Sequence, residues 1–181
     1  QINQQLASLF AKFSQNLLAE ENGQYVTLTS EADLAGLSQG LKDAAAAGAS
    51  RKKVANAVGI ISNTRSSVDP FLTYSDRRDL REKVWKMFIN RGDNNDTKDN
   101  NTLIAEILQL RAERAKLLGF KTHAHWRLEN VMAKSPENAM QLMEGVWPAA
   151  IARVKEEVAD MQALANKEKA GVTIEPWDYR Y

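Results

Sequence analysis

Apolar residues recur every three or four positions along most of the sequence, which predicts amphipathic helices. A glycine follows each run and supplies the left-handed backbone that commonly ends a helix. The runs with helical spacing cover residues 2–18, 80–88, 103–118 and 140–165, and the glycines that follow them are Gly23, Gly92, Gly119 and Gly171. The pattern therefore predicts a mainly α fold.

Alternating apolar and polar residues are confined to short stretches, so we expect at most a few short strands. The stretches that fit a strand are Tyr25–Thr29, Val58–Ser62 and Val172–Ile174. Ser30, with Asp33 three positions later, predicts a helix start. That helix would continue through the alanines at 44–47 and stop at Gly48.

Helix starts later in the chain are marked by capping residues. Ser135 followed by Pro136 predicts the start of the longest helix, because proline is favoured at the first helical position. Thr122 predicts the start of a short helix. Thr73 or Ser75 predicts the start of the helix that includes residues 80–88.

Residues 48–70 match neither periodicity clearly, and this stretch is predicted to be linker-like. Asn63–Pro70 is turn-like, and Pro70 disfavours helical backbone at Asp69. We expect one helical region over residues 1–181, interrupted by this stretch.

The composition is that of a globular protein, with 44% hydrophobic and 26% charged residues. The 24 basic and 23 acidic side chains leave a net charge of +1, so nucleic acid is not an expected partner. No apolar run approaches the roughly 20 residues that span a bilayer. The absence of cysteine excludes a thiol nucleophile and a thiolate metal site, and it fits the cytoplasm and the periplasm equally.

Neither end of the sequence coincides with a predicted start or end of a helix or strand. The chain opens at Gln1 inside a helical run with no capping residue before it. It stops at Tyr181, just after a cluster of proline, tryptophan and aspartate. We therefore expect a segment of a longer protein.

The two histidines, His123 and His125, could bind one metal ion from a strand, where they would share a face. On a helix they lie about 200° apart and could not. His125 and Glu129 do share a helical face, but two ligands leave a zinc site incomplete. We interpret both histidines as structural groups near a helix start.

A polar link follows the helix that Gly92 closes. Its oxygen-bearing side chains could surround a cation, but a calcium loop needs glycine and glutamate where this sequence has Lys98 and Ile104. We interpret the link as a solvated connection between helices. Its candidate oxygen ligands are Asp93, Asn95, Asp96, Asp99 and Asn101.

Two charged clusters have both a functional and a structural interpretation. Arg77, Arg78 and Arg81 could bind a phosphate or carboxylate, but the acidic residues between them favour ion pairs along one helix face. Glu175 and Asp178 are paired carboxylates with no nucleophile or metal ligand nearby. The sequence also lacks a phosphate-binding loop, a serine-hydrolase motif, a dinucleotide fingerprint and an H-E-x-x-H motif.

An ordered set of short motifs runs through nearly the whole chain. It comprises Gln4–Leu6, Phe13–Leu17, Phe71–Glu82, Arg91–Gly92, Leu110–Glu113, Leu118–Gly119, Trp126–Leu128, Met132–Lys134, Pro136–Glu137, Val146–Ala149 and Ile174–Tyr181. Taken together, the set resembles the peptidyl-dipeptidase branch of the thimet-oligopeptidase family of zinc metallopeptidases.

The resemblance implies a helical segment of a two-lobed, channel-containing metallopeptidase that cleaves short peptides, and in the bacterial branch releases dipeptides from their C-terminal ends. It implies zinc held by an H-E-x-x-H helix and a later glutamate, none of which this chain contains. We therefore assign no catalytic, cofactor-binding or metal-binding residue here. The segment is predicted to be inactive alone, a structural portion beside the substrate channel.

A second hypothesis is a free-standing helical interaction module without enzymatic activity. Capped ends and a closed core would favour it. If the segment lacks the core helices of a parent peptidase, apolar surface left exposed on the helix 136–167 would favour self-association.

Overall fold

The computed structural model describes all residues, 1–181, and shows a mainly α chain. In order, its elements are α1 Ile2–Gly23, β1 Tyr25–Leu28, a 3-10 turn Glu31–Leu34, α2 Gln39–Lys52, β2 Gly59–Ser62, α3 Arg65–Tyr74, α4 Arg78–Ile89, α5 Asn101–Leu117, α6 His123–Leu128 and α7 Pro136–Lys167. No helix is both long enough and apolar enough to cross a membrane.

The chain divides into two compact units. One, here called the mixed unit, comprises Phe13–Asn100 and Ile174–Tyr181. The other, here called the helical unit, comprises Gln1–Lys12 and Asn101–Thr173.

The mixed unit is built on the antiparallel pair β1 and β2, in which Tyr25 lies opposite Ser62 and Leu28 opposite Gly59. Helix α2 approaches this pair closely. A side chain at Gly59 would lie 2.8 Å from the Ala45 Cβ, so only glycine allows this approach. The buried core side chains are Leu28, Leu34, Leu37, Ala45, Ile61, Val68, Phe71, Leu72, Leu80 and Val84.

The helical unit contains the first turns of α1 together with α5, α6 and α7. Leu6 of α1 and three residues of α5, Leu103, Ile107 and Ala115, are buried. Helix α7 differs, since none of its residues is buried. Every residue of 140–156 is exposed.

Most predicted elements are confirmed. Helix α1 ends at Gly23, and β1 and β2 lie within the predicted strands. Thr122 and Ser135 cap α6 and α7, and their hydroxyls accept hydrogen bonds from the backbone of His125 and Asn138. Both caps supply acceptors to backbone donors that the helix itself leaves unpaired.

The single helix predicted from Ser30 to Gly48 is wrong. The capping box at Ser30 closes only the 3-10 turn, and the chain then reverses at Gly36, which has a φ of +81°. Helix α2 starts afresh after Ser38 and continues past Gly48. Gly48 lies inside α2, where a Cβ would come within 3.0 Å of the Ile60 side chain, so its glycine serves close packing and does not end the helix.

The turn predicted over Asn63–Pro70 is also wrong, because α3 runs through it with Pro70 inside. Burial of Val68, Phe71 and Leu72 on one face of α3 offsets the hydrogen bond that the proline removes. Thr73 therefore lies within α3 and does not cap the following helix.

Two smaller predictions fail as well. Helix α4 begins at Arg78, and no side chain caps it, so Ser75 is not its cap. The segment Val172–Ile174 forms no strand. With three residues and no neighbouring strand edge, it has nothing to pair with.

Candidate functional site

The most highly connected polar group in the mixed unit is the carboxylate of Asp178. Arg78 donates to it from Nε, 3.1 Å from each oxygen, and from Nη2, 2.8 Å from Oδ2. Arg81 donates from Nη2 to Oδ1 at 2.9 Å, and the Glu175 amide donates to Oδ2 at 3.1 Å. We call Asp178 with Arg78 and Arg81 the Asp178 clamp.

The clamp follows from helix geometry at the start of α4. Arg78 and Arg81 lie three positions apart and so share one helix face. The Arg81 guanidinium is buried, and its Nη1 donates to the Ser75 carbonyl at 2.6 Å. The prediction that these arginines pair along their own helix is therefore incomplete, since both reach a carboxylate about a hundred positions away.

Aromatic side chains enclose the clamp. The Arg81 guanidinium lies 3.9 Å from the centre of the Tyr181 ring, and the Tyr181 hydroxyl donates to Asp76 at 3.0 Å. Trp177 meets Trp85 edge to face, with ring centres 5.7 Å apart. The Arg81 side chain is only 4% exposed, and exclusion of water there strengthens its ion pair with Asp178.

The surroundings of Asp178 decide its protonation state. Burial alone would raise the pKa of this carboxyl group, but hydrogen bonds from Arg78, Arg81 and the Glu175 amide lower the pKa below its ordinary value overall. A carboxylate held ionised by two guanidiniums is a poor general acid. The pair Glu175 and Asp178 therefore has a structural role, in which one residue positions the other.

The lowered pKa of Asp178 predicts acid sensitivity. The unfolded state binds this proton more readily than the folded state, so the stabilisation is complete above the ordinary aspartate range and is lost as the pH falls through the folded pKa. We expect the urea midpoint to fall as the pH is lowered from about 5 toward 2. Substitution of Asp178 by asparagine should make that fall shallower, and an unchanged slope would contradict the assignment.

A second ion pair fixes the loop before α4. Arg77 donates to Asp33, and also to Asp79 through Nε at 2.9 Å. Asp33 is buried and accepts the backbone N–H of Thr29 at 2.8 Å. That hydrogen bond is the main reason why the pKa of Asp33 is lowered despite burial. Arg77 is therefore occupied and offers no site for a ligand.

The predicted structural interpretation of the histidines agrees with the geometry. His125 Nδ1 lies 2.7 Å from the Thr122 hydroxyl, and its Nε2 lies 3.5 Å from Glu137. His123 packs against Trp126 instead. Burial, and then the charges of nearby arginines, lower the pKa of His123.

The Asp/Asn-rich link is held by a glutamate that the sequence did not single out. Glu20 of α1 is fully buried and accepts the Gly92 amide at 2.6 Å and the Asn94 side-chain amide at 2.7 Å. Asp99 accepts a backbone N–H within the link itself. These side chains serve the backbone, and nothing in the sequence pattern marked Glu20 as an interior residue.

Each unit contains a cavity. The larger, about 870 Å³, is an apolar groove in the helical unit lined by residues of α1, α5 and α6, including Phe10, Leu117 and Trp126. The smaller, about 330 Å³, lies between α2 and β2 in the mixed unit. Neither brings together a nucleophile and a base, and no set of three His, Asp or Glu residues in the chain could hold a metal ion.

Comparison with known proteins identifies relatives for this scaffold. The model of Peptidase family M3 matches residues 71–181, more than half of the chain. Dipeptidyl carboxypeptidase of Escherichia coli (strain K12) is 33% identical over 180 residues, covering 99% of this chain and 26% of the relative. Oligopeptidase A of Salmonella typhimurium (strain LT2) is 31% identical over 185 residues, covering 100% of this chain and 27% of the relative.

Similarity extends to a eukaryotic protein over a shorter region. Mitochondrial intermediate peptidase of Debaryomyces hansenii is 32% identical over 112 residues, covering 56% of this chain. The chain spans about a quarter of the length of the bacterial relatives.

Proposed function

This chain belongs to peptidase family M3, and from that premise we propose that it forms part of a zinc metallopeptidase that releases dipeptides from the C-terminal ends of short peptides. Within that enzyme it is a structural, non-catalytic portion beside the substrate channel. The observation that carries the proposal is the 33% identity with dipeptidyl carboxypeptidase over 180 residues.

The residues present assign no chemical step to this segment. The two histidines do not converge with a third ligand, so the donor set does not fit zinc. The Asp178 clamp has a positional role, because it holds the segment 174–181 against α4 by buried hydrogen bonds. Peptide would reach the segment only through the rest of the enzyme.

A chimeric enzyme tests this proposal. In E. coli dipeptidyl carboxypeptidase, the 180 residues that align with this chain are replaced by the chain itself. We expect the chimera to release C-terminal dipeptides from a peptide with a blocked amino end, and the isolated chain to release none. The E. coli enzyme with the aligned residues deleted serves as the negative control.

Three results would contradict the proposal. Either a folded chimera without activity or hydrolysis by the isolated chain would do so. Stoichiometric zinc in the isolated chain, measured by metal analysis after gel filtration, would also show that the catalytic residues have been misplaced.

A second candidate is a free-standing helical interaction module. The exposed surface of α7 favours it, since a helix with no buried residue is available to a partner. An inactive chimera combined with a well-folded isolated chain would favour this candidate.

A further inference from the structure

Helix α7 carries a stripe of uncovered apolar side chains. Met140, Met143, Trp147, Ile151 and Val154 are all exposed, and the Trp147 residue is 65% exposed. Their spacing of three or four residues places them on one face of the helix. We call these five residues the α7 stripe.

Such a stripe has an energetic consequence. An isolated helix is marginally stable in water, and most helices in proteins are held by packing of their apolar face. Over 140–156, α7 has no such packing. Contiguous apolar surface beyond a few hundred Å² usually marks a protein interface.

The same unit also carries arginines without acidic partners. Ion pairs form at seven arginines elsewhere in the chain, but none forms at Arg111, Arg114 or Arg127. Arg114 and Arg127 lie 4.5 and 5.5 Å from the centre of the Trp126 ring. We call these three residues the arginine cluster.

The arginine cluster retains unused hydrogen-bonding capacity. The Nε atoms of Arg111 and Arg114 are buried and donate to no acceptor. A partner cannot reach those two buried atoms, but Arg127 is exposed and forms no ion pair. A guanidinium is best satisfied by a carboxylate, which can accept two parallel bonds. A partner that covers this surface would therefore present acidic side chains beside apolar ones.

We propose that the α7 stripe and the arginine cluster form the docking surface for the part of a family M3 peptidase that this chain does not span, a polypeptide surface carrying apolar and acidic side chains. The inference rests on the proposed function. In the bacterial relatives, about three quarters of the residues lie outside the region that aligns with this chain. That remainder is long enough to provide a surface that covers the α7 stripe and the arginine cluster.

Charge favours this occupant over a second copy of the chain. A symmetric pair that joined two copies through this docking surface would bring two arginine clusters into one interface, and like charges brought together disfavour association. An acidic surface from the remaining peptidase meets no such cost.

The test compares the isolated chain with the chimeric enzyme described above. Hydrogen–deuterium exchange is measured for peptides that cover 140–156. We expect exchange to be at least tenfold slower in the chimera than in the isolated chain, because covering the stripe suppresses local opening. Equal exchange in the two proteins would overturn the proposal.

Paired substitutions locate the surface. Trp147→Glu places a charge on the stripe, whereas Ala149→Glu places the same charge about 200° around the helix. We expect Trp147→Glu to lower the melting temperature of the chimera by several degrees and to leave the isolated chain unchanged. Ala149→Glu should leave both unchanged. An unchanged melting temperature of the chimera with Trp147→Glu would overturn the proposal.

A charge reversal tests the acidic component. Arg127→Glu should lower the melting temperature of the chimera and not that of the isolated chain, since Arg127 is exposed in the latter. Arg51→Glu is the matched control, because Arg51 is another exposed arginine without an ion pair and lies in the mixed unit. Equal changes in the melting temperature for the two reversals would show that the arginine cluster is not part of the docking surface.

The outcomes separate this proposal from the proposed function. A chimera with slow exchange over 140–156 but no activity rejects the function and keeps the docking surface. An active chimera with fast exchange rejects the docking surface alone. A concentration-dependent dimer of the isolated chain that Trp147→Glu abolishes, seen by sedimentation, assigns the stripe to a second copy and overturns the proposal.

Discussion

Substitution of Asp178 by alanine is expected to lower the free energy of unfolding by about 3–5 kcal/mol, the usual cost of removing one member of a buried ion pair. The main contribution comes from Arg81, whose side chain is 4% exposed and would keep its charge without a counterion. Arg78 contributes less, because its side chain is 35% exposed and water can replace the lost carboxylate.

Urea unfolding followed by tryptophan fluorescence measures this loss. Trp85 and Trp177, two of the four tryptophans, lie against each other beside the clamp, so their part of the signal reports the region concerned. Glu82→Ala is the matched control, because it removes an exposed ion pair with Lys86 on the same helix and should cost only about 0.2–0.5 kcal/mol. A loss below about 1 kcal/mol for Asp178→Ala would contradict a buried clamp, since that is the range of exposed pairs.

The consequence for the proposed enzyme is positional. Arg180 also pairs with Asp69 of α3, at 3.3 Å, so the segment after α7 is tied to two helices of the mixed unit. Because these contacts involve charged groups of fixed geometry, they fix the segment 174–181 in one orientation more than apolar packing would.

Local signals predicted the helices well where they agreed with tertiary packing. Ser135 and Pro136 marked the start of α7 correctly, because a cap and a proline act through their own backbone neighbours. Pro70 misled for the opposite reason. Its local preference against a helix was overridden by burial of Phe71 and Leu72, which a single sequence does not reveal.

The clamp illustrates the limit for polar sites. The sequence showed that Arg78 and Arg81 share a helix face, and it singled out Asp178 as one of two paired carboxylates with Glu175. It could not show that they meet, because their separation of about a hundred positions carries no periodic signal. The calcium-loop pattern, in contrast, could be rejected from spacing alone, whereas the interpretation of His123 and His125 depended on whether they lie on a strand or on a helix.

Gly36 offers a sharp test of the loop that supports the clamp. The carbonyl oxygen of the preceding residue, Ala35, accepts a hydrogen bond from the Asp76 N–H at 3.1 Å. This bond holds the 3-10 turn against the loop between α3 and α4. An added Cβ would lie 2.1 Å from the Tyr74 carbonyl oxygen. The position of the Cβ is fixed by the backbone of residue 36, and the Tyr74 oxygen is also a backbone atom, so no side-chain rotation relieves the overlap.

Substitution of Gly36 by alanine is therefore expected to lower the free energy of unfolding by about 3 kcal/mol or more. Left-handed backbone at a residue with a side chain costs about 1–2 kcal/mol, and separating the two loops adds a hydrogen bond worth about 1 kcal/mol and lost packing. Gly40→Ala is the matched control, because nothing lies within 4 Å of its added Cβ and α2 should gain about 0.5–1 kcal/mol. Urea unfolding measures both changes in the free energy of unfolding. A loss for Gly36→Ala together with a gain for Gly40→Ala would show that the fold requires the close approach of Gly36 to Tyr74. A Gly36→Ala protein as stable as the parent chain would mean that the two loops separate without cost, and the clamp would then have to hold α4 without their support.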